Sequence, residues 1–228
     1  MLSIFRSRLH SVHGIVASVI FITGAIVFPA SAQNSKAEEA YQGASKLFDI
    51  KLWEDAARAY RSYLKEYPKH AKAGLGHYAC GMCYFNMKQY APAAREFKFA
   101  AGNRGLDKEY NVKANLFLGQ SLMLKAPAAP KDAEDAFEVG LKSMGFAKKG
   151  FINRVWDGES VTQWLKKGED KKKRQLAEEV FIGLLEATYL QGNWKSVIAK
   201  MDAFEGLVKG SIVEQRVRVL AGEAHAKS

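Results

Sequence analysis

The stretch YQGASKLFDIKLWEDAARAY, residues 41–60, returns 37 residues later as YACGMCYFNMKQYAPAAREF, residues 78–97. Each copy opens with apolar residues at helical spacing: Tyr41, Ala44, Leu47 and Phe48 in the first, Tyr78, Gly81, Tyr84 and Phe85 in the second. Recurrence at three and four residues marks one face of a helix. The pattern breaks at Lys51 and near Lys88, then resumes as a second helix through Trp53, Ala56 and Tyr60, or Tyr90, Ala93 and Phe97. Pro68 stops the second helix of the first copy, since its ring cannot continue the ladder. The unit is therefore a pair of helices, and it repeats.

Further copies lie downstream. Leu118-Gly119 falls 38 residues after Cys80-Gly81, and Ala133, Ala136 and Phe137 follow a turn lengthened by Pro127 and Pro130. A weaker fourth copy has Leu184 and Tyr189 on its first helix and Gly192-Asn193-Trp194 at its turn. A fifth begins with Ala221-Gly222, which lies 37 residues after Leu184-Leu185. A helix pair repeated at this period cannot bury its own apolar face, so neighbouring copies must stack into a solenoid.

The residues Ala44, Trp53, Ala56, Tyr60 and Pro68, then Gly81, Tyr84, Tyr90, Ala93 and Phe97, then Leu118, Gly119, Ala133 and Phe137 resemble the tetratricopeptide repeat (TPR) family. The resemblance implies an all-α, TPR-like solenoid of antiparallel helix pairs, with three repeats over residues 33–144 and a degenerate fourth plus a terminal helix over residues 175–228. The long unit, with YLKEYP at residues 63–68, is similar to bacterial cell-envelope TPR proteins of the Tol-Pal coordinator and outer-membrane assembly lipoprotein type. Such architectures are reused for many partners, so the resemblance speaks to fold more than to function.

The N-terminus reads differently. Arg6 and Arg8 precede an uncharged apolar run over residues 14–28, and Ala30-Ser31-Ala32 has the small-residue arrangement that signal peptidase accepts. Residues 1–32 are expected to be a signal peptide cleaved before Gln33, placing the chain in the periplasm or outside the cell; the alternative is an uncleaved N-terminal membrane anchor. Removing residues 1–32 takes two arginines and no carboxylate, lowering the formal charge from +10 to +8. That sign attracts acidic proteins, anionic lipid or anionic polymers. Export disfavours nucleic acid as a partner.

Residues 145–174 interrupt the repeats. They contain Gly145, Gly150, Gly158 and Gly168, the aromatics Phe146, Phe151, Trp156 and Trp164, and the basic run Lys171, Lys172, Lys173 and Arg174. A short helix is expected from Ser160 to Lys167 with Ser160 as its cap. The aromatics either seal the junction between repeat blocks or bind a ligand. The basic run reads as a solvated helix start and is also the best candidate for contact with an anionic envelope polymer or lipid surface.

Catalytic signatures fail on context. Gly74-Leu75-Gly76-His77-Tyr78-Ala79 formally fits a dinucleotide fingerprint, but that motif works between a strand and a helix, and helical pattern surrounds it here. His77, Cys80 and Cys83 could gather on one side of a helix as metal ligands. They could equally be packing residues, or the two cysteines a disulfide formed after export; Cys80 falls where TPR units place a core leucine. No H-E-x-x-H or G-x-S-x-G occurs. The chain is read as a non-enzyme that needs no metal or cofactor.

In proteins resembling this one, the fifth and twelfth positions of each first helix point into the concave groove. Here they are Tyr41, Tyr78, Leu116, Ile182 and Val219, and Phe48, Phe85, Met123, Tyr189 and Ala226. Positions seven apart share a helix face. The stripe either packs against the next repeat or receives a protein or peptide partner, with Asn86 and Gln120 hydrogen-bonding the partner's backbone. The leading expectation is an exported scaffold or adaptor. The alternatives are a helical-repeat enzyme or glycan-binding accessory protein using residues 145–174, and the N-terminal part of a larger envelope protein.

Overall fold

The computed structural model describes residues 30–150, 155–168 and 170–228. Residues 1–29, which hold most of the expected signal peptide, lie outside the described residues, as does Phe151. The first three helix pairs are α1 (Ala30–Asp49) with α2 (Trp53–Glu66), α3 (Ala73–Asn86) with α4 (Tyr90–Gly102), and α5 (Lys108–Leu124) with α6 (Pro130–Met144). A two-stranded hairpin of β1 (Lys148–Lys149) and β2 (Val155–Trp156) and the short helix α7 (Gly158–Lys166) follow. The pair α8 (Lys171–Leu190) and α9 (Trp194–Val208) and a final α10 (Glu214–Lys227) complete an all-α repeat solenoid. Among the described residues no helix is long and apolar enough to cross a membrane.

Small residues on each first helix make room for an aromatic of the second. A Cβ on Gly81 would stand 2.8 Å from the ring of Phe97, and one on Gly119 would stand 2.5 Å from Phe137. Phe97 and Phe137 are accordingly buried. A Cβ on Gly183 of α8 would likewise stand 2.6 Å from the Phe137 ring. One aromatic thus couples two units. The turns inside the first, second and fourth pairs are built alike, because Lys51, Lys88 and Gly192 occupy the same place with φ of 62°, 57° and 71°. Only glycine takes that left-handed conformation without steric cost.

Two expectations about the insertion change. Helix α7 starts at Gly158 and its cap is Asp157, whose carboxylate accepts from the Glu159 backbone N–H at 3.3 Å. Ser160 is instead inside the helix, donating to the Asp157 carbonyl at 2.7 Å while its Oγ accepts from the Ala147 N–H at 3.1 Å. A carboxylate wins the cap because it faces the positive end of the helix dipole. The basic run, assigned above to the insertion, is the first turn of α8, capped by Asp170.

The insertion's aromatics enter the core. Phe146, Trp156 and Trp164 are 2%, 5% and 5% exposed, and all belong to the cluster around Phe181 and Phe204. Phe146 and Trp156 meet the Phe204 ring edge-on at centroid distances of 5.4 and 5.3 Å, and the Trp164 indole N–H donates to the Met144 carbonyl at 3.2 Å. Of the two readings of these residues the structure takes the first: they seal the junction between repeat blocks.

Candidate partner-binding groove

The helices form two layers. In the first layer the backbones of α1, α3, α5, α8 and α10 each approach the next, whereas those of the partner helices α2, α4, α6 and α9 stand further apart, α6 and α9 meeting through the Glu134–Lys200 ion pair. A layer whose members touch follows a shorter arc than one whose members stand apart. The first helices therefore line the inner, concave side.

The second inner helix, α3, contains no Asp, Glu, Lys or Arg in its 14 residues. Other inner helices bring Tyr110, Gln120, Met123 and Leu124 from α5 and Tyr189 and Leu190 from α8. Leu124, Leu190 and Val219 are 53%, 61% and 58% exposed. Charged groups on the same face are engaged: Lys72 with Glu38, Lys113 with Glu109 at 2.5 Å, Arg216 with Glu186 at 2.8 Å, and Glu223 with the Tyr189 hydroxyl. Between them α3 is free of charged residues and rich in aromatic groups.

The residues expected on the groove divide. Tyr41, Phe48, Tyr78 and Phe85 are half-buried, and each spends ring surface on the scaffold. Tyr41 packs edge-on against Tyr60 and Tyr63, and Phe48 against Trp53. Tyr78 meets Phe97, Tyr110 and Phe117, and Phe85 meets Tyr90 and Phe117. Leu116 is a correction: at 2% exposure it lies in the core beside Phe137, because α5 is covered by α6 and α8 at that level. Met123 and Ile182 rest half-buried on the same cluster, whereas Val219 and Ala226 are exposed. Asn86 is exposed and donates to the Met82 carbonyl of its own helix at 2.8 Å, leaving its side-chain oxygen outward. Gln120 is half-buried on the inner face.

Sequence reasoning missed Met82, Leu124 and Leu190, of which Leu124 and Leu190 are exposed and Met82 half-exposed. They lie one turn before or one residue beyond the seven-residue stripe, so a wider stripe would have found them.

Other features of the sequence resolve into packing. Gly74 and Gly76 lie within α3, and a Cβ on either would stand 2.9 Å from Asn103 or 2.8 Å from Tyr63. They serve close helix approach. Cys80 and Cys83 are free and fully buried, and burial pushes both thiols up, Cys83 to about 12. His77 binds Glu96 through Nδ1 at 2.8 Å, and among the described residues no group of three metal-type ligands gathers. Of the basic run, Arg174 is structural: it pairs with Glu178 at 3.1 Å and donates to the Leu207 carbonyl at 3.2 Å. Lys171, Lys172 and Lys173 are exposed on the first turn of α8.

No protein-family model matches the sequence, and no curated protein matches it. Among solved structures the chain is similar to the assembly chaperone of RpL4 (Acl4), residues 1–338, with 15% identity and a TM-score of 0.49 over 84% of this chain and 73% of that chain. The assignment of a helical-repeat solenoid rests on the helix order and the two layers described above.

Proposed function

We propose that this protein is an exported, non-catalytic scaffold or adaptor that holds an apolar helix or extended segment of a protein partner on its inner face. The observation that carries this reading is the neutrality of α3. In a chain with 34 basic and 24 acidic residues, the inner helix α3 has none of either, yet Tyr78, Met82 and Phe85 remain half-exposed. A surface kept free of charge and supplied with aromatic and Met side chains suits apolar recognition. The leader-like N-terminus and the resemblance to envelope TPR proteins support placing the protein in the cell envelope. The insertion offers no second site of comparable quality, because its tryptophans are spent on the core.

Photo-crosslinkers at Met82 and Gln120 test the reading against controls at Ala91 and Lys98 on the outer helix α4. The inner positions should capture one defined protein, and Met82→Glu with Leu124→Glu should abolish capture while leaving the cooperative melt unchanged. Placing two charges in an apolar interface is expected to cost at least about 2 kcal/mol of binding. Capture from the outer positions alone would overturn the proposal.

A further inference from the structure

The turns that lead from an outer helix to the next inner helix all lie along one edge of the solenoid. The Asn111 amide at the start of α5 donates to the Ala101 carbonyl at the end of α4, at 2.8 Å, and its Oδ1 receives the Ser143 hydroxyl at the end of α6, at 3.4 Å. Arg174 at the start of α8 reaches the carbonyl of Leu207 at the end of α9. The start of α1 lies on the same edge, where Asn34 bonds His70 at 3.1 Å.

Tertiary structure collects cations there that the sequence keeps far apart. Lys69, Arg104 and Lys108 come from the first turns, and Lys166, Lys167, Lys171 and Lys172 from the ends of α7 and α8; all are exposed. Among the described residues none of these seven has an ion-pair partner. Several of the described carboxylates of the edge are already engaged. Asp107, Asp157 and Asp170 cap α5, α7 and α8, and Glu109 pairs with Lys113 at 2.5 Å. On the opposite edge Lys51, Lys88, Lys125 and Lys195 alternate with Glu54, Asp55, Asp132 and Asp135, so that edge has no such excess.

We propose that this basic edge docks on an anionic lipid surface. A further observation favours a bilayer over a soluble polyanion. Ile212, in the turn between α9 and α10 on the same edge, is 83% exposed, and an apolar side chain gains at a membrane interface but not against a charged polymer. Docked this way, the helices stand on the bilayer and the inner face opens sideways. The inference is independent of what that face binds.

The test is vesicle co-sedimentation of the chain as its expression host produces it. Vesicles of phosphatidylcholine are compared with vesicles in which about a third of the lipid is phosphatidylglycerol, at low and high salt. Binding is expected only to the anionic vesicles and only at low salt. A near-surface lysine contributes about fivefold, so reversing Lys166, Lys167, Lys171 and Lys172 to Glu should weaken binding at least about 100-fold. Reversing Lys69, Arg104 and Lys108 should weaken it at least about 30-fold, giving a second variant should the first lose its cooperative melt. Reversing Lys51, Lys88, Lys125 and Lys195 on the other edge makes the same change in net charge and should alter binding by less than about threefold. Equal binding to neutral vesicles, equal losses for the two edges, or capture by soluble polyphosphate without vesicle binding would each overturn the proposal.

Discussion

Replacing Lys200 by Met should lower the stability of the downstream half of the solenoid more than any surface change. Lys200 is 7% exposed, with its ammonium 3.1 Å from Glu134 Oε1 and 2.6 Å from Ser196 Oγ. Glu134 also accepts from Gln191 at 2.9 Å and from the Thr188 hydroxyl at 3.2 Å, so one carboxylate ties α6 to α8 and α9. Removing one partner of a buried ion pair costs about 3–5 kcal/mol, because the other charge remains without compensation. Lys131 still lies 3.6 Å from Glu134 but is largely exposed, so the expectation is the low end, about 3 kcal/mol. For a chain of this size that is roughly 6–12 °C in Tm. Met keeps the volume, and the double variant Glu134→Gln with Lys200→Met should recover to within about 1 kcal/mol of the parent.

The pH dependence gives an independent check. Burial pushes the Glu134 carboxyl up, but the hydrogen bond from Gln191 and the charge of Lys200 outweigh it and hold the group below its ordinary value. A depressed carboxylate contributes stability that is present above its unfolded pKa, about 4.3, and is lost as pH falls through the folded value. Without Lys200 burial dominates, and protonation then relieves the variant. The Tm gap between parent and variant should therefore narrow from pH 7 towards about pH 4. Differential scanning calorimetry at both values decides it: a gap under about 2 °C at pH 7, or one independent of pH, would refute the reasoning.

Gly119→Ala should destabilise by about 1–3 kcal/mol in chemical denaturation, since its Cβ would stand 2.5 Å from Phe137, whereas Gly43→Ala, which meets nothing within 4 Å, should be neutral or stabilising. Phe137→Ala should cost about 3–5 kcal/mol by the same assay and should loosen α5 and α8 together, because the ring fills both glycine clefts. Cys80 and Cys83 should react with a thiol reagent in the native protein only as fast as the fold opens, given their burial and raised thiols; a burst of labelling would contradict this. Lys227 lies over the rings of Tyr189 and Trp194 at 4.8 and 4.7 Å and bonds the Tyr189 hydroxyl, so Lys227→Ala should speed amide exchange in α10 while leaving α3 and α4 protected.

The repeat was legible in the sequence because each unit solves the same local problem with the same residues. A small residue must face an aromatic, so Ala44 with Tyr60, Gly81 with Phe97 and Gly119 with Phe137 recur at nearly constant spacing. Helix type, the number of units and the clash of dinucleotide and metal motifs with a helical context all follow from periodicity along one chain. What tertiary structure alone decided is which half-apolar surface stays open. Leu116 and Leu124 lie on one helix eight residues apart, yet α6 and α8 cover the first and leave the second exposed. Nothing in their immediate neighbours distinguishes them. The pairing of Glu134 with Lys200, 66 residues apart, was hidden for the same reason, as was the gathering of Lys69, Arg104, Lys108 and the start of α8 on one edge. Local sequence sets the period and the face of each helix, but burial and long-range charge pairing depend on how far each helix is rotated and stacked against its neighbours, and that is fixed only when all of them pack at once.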